Sequence, residues 1–267
     1  MNGATILARR SAATSAWLPA VVLLLATIAA WEAAVWVFSI SSFIVPAPSA
    51  IGATLMREAG PLLEATRVTA VEILVGFLVA AVVGIALAMI IARFRLLGRA
   101  LYPLIVLFQT VPKVALAPIF ILWFGYDLAP KVGLILVIAF FPVTLSMLAG
   151  LEAAEPGLLS LMRSVGASRT TILLRIQIPY ALPQLMAGLK IAVTFSVIGA
   201  IVGEFAGASA GLGYLIQFAS TQLDTPMVFA ALLVVSVVGV VFYYAMELLE
   251  RLVVPWAPKF DPALRSA

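Results

Sequence analysis

The chain has 267 residues, 64% hydrophobic and 10% charged, with a formal net charge of +4. Soluble domains carry about 45–50% apolar and about 25% charged residues, so this composition excludes an ordinary soluble domain and reads as a polytopic membrane protein. Cysteine and histidine are both absent, which removes disulfides, thiolate chemistry, imidazole bases and the usual zinc ligand sets. No basic run is interleaved with aromatics, so the positive balance reports topology rather than nucleic-acid binding.

Arg9 and Arg10 precede an apolar run over 17–38 that superficially resembles a secretory signal, yet its 22 residues, with Glu32 as the sole charge, are too many. At about 1.5 Å per residue such a run crosses a hydrocarbon core of about 30 Å, and it reads as a retained first span. Trp31 and Trp36 sit near its far end, where aromatic side chains favour the interface. A polar interlude follows in which Pro46, Pro48 and Ser49 make an extended turn before a short helix. The second span is predicted over 68–92, with Glu72 near its outer end, and Arg93, Arg95 and Arg99 then crowd one short connection. The third span, 101–124, carries Pro103, Pro112 and Pro118 together with Gln109 and Lys113. Prolines free backbone carbonyls that lipid cannot satisfy, so this span belongs in the interior, against protein or a water-filled route. A tight outer turn over 125–131 leads to a fourth span, 132–150, which has no charge.

The region 151–183 reads as two short helices around a glycine, each too short to span a bilayer. Pro156 suits a first helical position, and Leu158, Leu161, Met162 and Val165 recur at helical spacing. Gly166 can take the left-handed conformation that ends a helix, Ser168 can cap a second short helix bearing Ile172, Leu173 and Ile176 on one side, and Pro179 closes it. The result is a helix, an elbow and a helix, made basic by Arg163, Arg169 and Arg175, which suits docking to a soluble partner or lying on the membrane surface. A fifth span, 184–205, contains Lys190 and Glu204; an outer loop punctuated by Gly207, Gly211 and Gly213 runs to Pro226; and a sixth span covers 227–246.

With the N-terminus inside, the inner segments hold 11 positive residues (Arg9, Arg10, Arg93, Arg95, Arg99, Arg163, Arg169, Arg175, Arg251, Lys259 and Arg265), against three outside, Arg57, Arg67 and Lys131. The positive-inside bias therefore puts both termini and the elbow in the cytoplasm, with one transmembrane domain over 1–267.

The spacing of Gly166, nine residues, Ile176, one residue, an aliphatic residue and Pro179 resembles the cytoplasmic signature of inner-membrane permease subunits of ATP-binding-cassette (ABC) importers, which runs EAA, three residues, G, nine residues, I, one residue, L, P. Here Ile178 stands for the Leu, and the EAA positions fall on Ser160, Leu161 and Met162; a literal triplet at Glu152, Ala153 and Ala154 is out of register. The chain is similar to the sulfonate, taurine and nitrate type over roughly 45–251, through VPAPSA, PKVALAPIFILWFG, FFP and GASAGLGYLI. That resemblance implies an all-α membrane protein of the type I ABC importer permease fold, with six spans and a cytoplasmic coupling helix between the fourth and fifth. It implies a second copy of the chain, two cytoplasmic ATPase subunits carrying ATP and Mg, an external solute-binding protein, and the inner membrane of a prokaryote. By it, the coupling helix covers Pro156 to Ser168, including Leu158, Leu161, Met162, Arg163, Val165, Gly166 and Ala167.

Gln109, Lys113 and Glu204 are the candidate pathway residues, since an ionisable group inside a span costs about 2.5–3.5 kcal/mol at mid-helix and is a functional hypothesis. Lys113 can instead bind carbonyls freed around Pro112 or snorkel, and snorkelling is the favoured reading for Lys190. Glu204 is placed at the outer end, shaping a gate or resting as an interfacial carboxylate, and Glu32 and Glu72 are assigned to interfaces or interhelical bonds. No P-loop pattern occurs, so the chain is read as a transport subunit without its own ATPase site and without a bound cofactor or metal. A self-sufficient secondary carrier is the alternative, though inverted repeats are not evident. An intramembrane enzyme is the other, and it would need a carboxylate pair that Glu32, Glu72 and Glu204, in separate spans, do not supply by spacing.

Overall fold

A chain in a bilayer must satisfy its backbone internally, and the regular elements among the described residues are all helical. The computed structural model describes residues 3–256. Lys259 and Arg265, counted above toward the inner face, lie outside the described residues, as do the side chains of Arg9, Arg10, Arg95 and Arg99. The order is α1 (Gly3–Val37), α2 (Pro48–Arg57), α3 (Ala59–Arg93), α4 (Arg95–Thr110), a 3-10 turn (Lys113–Leu116), α5 (Ala117–Phe124), α6 (Leu128–Glu152), α7 (Pro156–Ser164), α8 (Arg169–Ile172), a π turn (Leu173–Gln177), α9 (Ile178–Gly207), α10 (Leu212–Thr221) and α11 (Thr225–Val253).

Among the described residues, five helical stretches are long and apolar enough to cross a membrane: Leu18–Val37, Ala59–Arg93, Leu128–Glu152, Arg169–Gly207 and Thr225–Val253. The predicted third span is not one of them. It is broken after Thr110, because Pro112 cannot donate to the helix ladder and the residue before a proline is driven to extended backbone; Val111 has φ −69° and ψ 129°. Other boundaries shift as well. The second span begins nine residues early, so Glu72 lies well inside α3, and the outer turn shrinks until Lys131 stands in α6. Pro179 does not end the second short helix: it sits in the first turn of α9, and α8, the π turn and α9 form one 39-residue rod. The supposed loop up to Pro226 contains α10.

The chain divides into two compact units, Met1–Leu62 with Ile216–Leu233, and Leu63–Leu215 with Val234–Ala267. In the first, Glu32 accepts from the Ser49 backbone N–H (3.0 Å), the Ser49 hydroxyl (2.7 Å) and the Trp36 indole (3.0 Å), so a charge in a span is consumed by the start of α2. Thr225 donates to the Phe43 carbonyl (2.7 Å), and Trp31 meets Phe229 at 5.9 Å between ring centres.

The second unit is built on α3, α6 and α9, which approach closely because glycines face bulk. A Cβ on Gly76 would lie 2.6 Å from Ile135, one on Gly150 would lie 2.7 Å from Ala181, and one on Gly188 would lie 2.5 Å from Ser146. Lipid is as apolar as leucine, so such helices associate through close packing and small residues. Gly188→Leu is therefore expected to wedge α6 from α9 and to cost about 1–3 kcal/mol or more, read as a lower unfolding temperature in detergent. Gly60→Leu, at a position where no described residue lies within 4 Å of the added atom, should leave it unchanged.

Candidate functional site

The connection between α6 and α9 is built by its caps. Pro156 is the first residue of α7, and the helix ends in a Schellman turn: Ala167 N–H donates to the Met162 carbonyl (2.9 Å) and Gly166 N–H to the Arg163 carbonyl (3.0 Å). Gly166 has φ +80°, the conformation this motif requires. Ser168 then caps α8, its Oγ accepting from Thr171 N–H at 3.1 Å. Ile172, Leu173 and Ile176 are buried, which seats the second helix, and Gln177 donates across the base of the loop to the Leu151 carbonyl at 3.1 Å.

Leu158 and Met162 are half-buried, whereas Leu161 and Val165 are 58% and 69% exposed. Arg163, on the same helix, and Arg169 and Arg175, beyond the turn, are also exposed. The elbow thus presents an apolar ridge among cations on a short helix whose end is fixed by backbone bonds.

At the break in the third span, Lys113 Nζ donates to the Gln109 carbonyl (3.3 Å) and stands 5.0 Å from the centre of the Phe141 ring, within cation–π range. It shows no acidic partner among the described residues. The Gln109 side chain is exposed. An open cleft of about 480 Å³ lies near the end of α5, lined by Pro118, Ile121, Leu122, Gly125, Tyr126 and Ala206.

Glu204 has no exposed surface. Its carboxylate accepts from the Thr69 hydroxyl (2.6 Å) and from Gly213 N–H, and it also faces the Glu72 carboxyl. Glu72 in turn pairs with Lys131, both buried. Lys190, expected from the sequence to snorkel, pairs with Glu250 of α11 at 2.5 Å, so its half-buried ammonium is met by a carboxylate.

Residues 80–255 match the family described as "Binding-protein-dependent transport system inner membrane component". The chain belongs to that family. This permease is 40% identical over 185 residues to the formylaminopyrimidine transport permease protein ThiX of Halalkalibacterium halodurans, covering 69% of this chain and 74% of that one. It is 33% identical to the riboflavin transport system permease protein RibX of Chloroflexus aurantiacus, covering 85% of each, and 29% identical to the taurine transport system permease protein TauC of Escherichia coli, covering 81% and 82%. Its fold matches an inward-facing MetNI methionine ABC transporter chain with TM-score 0.64 at 18% identity, over 72% of this chain and 95% of that one. The permease is thus the membrane subunit of an ABC importer, an all-helical multi-pass protein of the inner membrane that works with separate ATPase and solute-binding components.

Two features of this permease escape a reading of spacing. Lys131 looks like a loop residue and is buried in an ion pair. Glu72 and Glu204, 132 positions apart in the sequence, come together because α3 and α9 both pack on α6. The available signal was the GASAGLG segment, whose glycines announce a close approach without naming what approaches.

Proposed function

We propose that residues 151–183 are the coupling element of this importer, that α7 with its Gly166 elbow seats in a groove of a cytoplasmic ATPase, and that two copies of the permease enclose the pathway. The exposed Leu161 and Val165 ridge, flanked by arginines and closed by a fixed turn, carries this reading, because an apolar patch rimmed with charge suits a soluble protein partner. ATP and Mg reside on the partner ATPases, and an external binding protein delivers the solute. Both termini face the cytoplasm. Nucleotide-driven closure of the ATPase pair favours one arrangement of the two elbows, and the rods attached to them tilt in response. Gln109 and Lys113 line the route, where an ammonium with no acidic partner among the described residues attracts the negative part of a solute. The relatives named for formylaminopyrimidine, riboflavin and taurine support a small organic solute.

The chain contains no cysteine, so single cysteines report cleanly. In the importer purified with its ATPase, Leu161→Cys and Val165→Cys are expected to cross-link to the ATPase through a short bifunctional reagent, and Leu122→Cys, on α5, is not. Cross-links confined to lipid, or a permease that transports alone in liposomes, would refute the assignment.

A further inference from the structure

The 39-residue rod Arg169–Gly207 is fixed at both ends. Beside the elbow, Gln177 bonds the Leu151 carbonyl of α6. Twenty-seven residues further on, about 40 Å at helical rise, Glu204 is fixed by different means. The first N–H groups of any helix lack intrahelical partners, and in α10 two of them are taken by this cluster: Gly213 N–H donates to Glu204, and Leu212 N–H donates to the Thr69 hydroxyl (2.8 Å), which itself donates to Glu204 (2.6 Å). A carboxylate at a helix N-terminus is also favoured by the helix dipole. The fit leaves no room. A Cβ on Gly211, whose φ is +110°, would lie 2.2 Å from Glu204 Oε1, and one on Gly213 would lie 2.8 Å from Oε2.

Every Glu204 contact therefore goes to protein groups, and none of its surface is open to a solute. The geometry points to Glu204 and Thr69 as positioning residues for transport: they clamp the first turn of α10 to the far end of the rod, so that a displacement of the elbow is delivered to α10. This inference rests on the coupling role proposed for the elbow. Close-packed helices carry such shifts as rigid bodies rather than absorbing them, because a dense interior deforms little.

Ser209, exposed in the link between α9 and α10, supplies the reporter. With Ser209→Cys in the complete importer in nanodiscs, the rate of reaction with a hydrophilic maleimide is measured without nucleotide and after trapping with ATP and vanadate. The rate is expected to change on trapping in the parent. That change is expected to be lost in Thr69→Val and Glu204→Gln, to return in Thr69→Ser, and to leave ATP hydrolysis and assembly intact in all three. A nucleotide-dependent change that persists in Thr69→Val overturns the clamp, and so does a parent that shows none. Copurification of the ATPase, scored in the same preparations, reports on the elbow's coupling role separately.

Discussion

Replacing Gly166 by valine is expected to abolish uptake while leaving the permease inserted in the membrane at its normal level. Among the described residues nothing lies within 4 Å of a Cβ built at this position, so the substitution clashes with none of them and its cost is confined to the backbone. At φ +80° that cost is about 1–2 kcal/mol for an ordinary L-residue, and a β-branched side chain is worse still. The nine-residue α7 has little stability of its own to absorb it, since helices under about 12–15 residues are marginal alone. The Schellman bonds from Gly166 and Ala167 open, α7 changes direction, and Leu161 and Val165 no longer meet the ATPase as a fixed ridge. Spanning segments are untouched, which is why insertion survives. Gly166→Asn separates backbone strain from loss of glycine as such: asparagine tolerates the left-handed region, so it should retain much of the activity that valine loses. The measurements are membrane-fraction abundance, solute uptake, and ATPase stimulation by the binding protein. Normal uptake with normal stimulation in Gly166→Val would falsify the coupling role.

How far this was legible in the sequence depends on the range of the interaction. The elbow is local: a proline at the start, a glycine at the end and a serine cap three residues before its bonded N–H are each visible within a few positions, and the caps form where those residues stand. Long apolar runs are equally plain, because a hydrocarbon core sets a minimum length. What fails is any feature decided by competition between distant groups. By sequence the prolines of 101–124 look like marks on a continuous third span, whereas Pro112 breaks it outright; by contrast Pro142 and Pro183 are carried inside α6 and α9, where the surrounding helix packing holds the ladder on either side. Lys190 gives no sequence hint of Glu250, 60 residues away, and Lys131 gives none of Glu72. Periodicity reports which face of a helix is apolar, but the pairing of two charges inside a bundle follows from which helices become neighbours, and that is set by the glycine-lined seams.

The second large effect concerns that hidden pair. Lys131→Met is expected to destabilise the permease by about 3–5 kcal/mol, because removing one partner of a buried ion pair leaves the other charge without compensation in a medium that solvates it poorly. Glu72 is badly placed to recover: its side chain is 3% exposed, its Oε1 is bonded to Lys131, its Oε2 has no hydrogen-bond partner among the described residues, and the group it faces besides Lys131 is another carboxyl, that of Glu204. Methionine approximates the lysine stem, so packing against Gly203, whose added Cβ would lie 3.2 Å from Lys131 Cγ, is retained and the loss isolates the charge. In a chain of this size such a loss lowers the unfolding midpoint by roughly 10 °C. The same reasoning predicts the outcome of the second substitution with opposite sign. Adding Glu72→Gln to Lys131→Met removes the orphaned charge, and since a buried pair and its neutral replacement are often close in energy, most of the stability should return. Thermal unfolding of the two single variants and the double variant in detergent measures the coupling directly. A double variant no more stable than Lys131→Met would mean that the lysine acts through packing alone, and that the charge of Glu72 is met by some other group in the bundle.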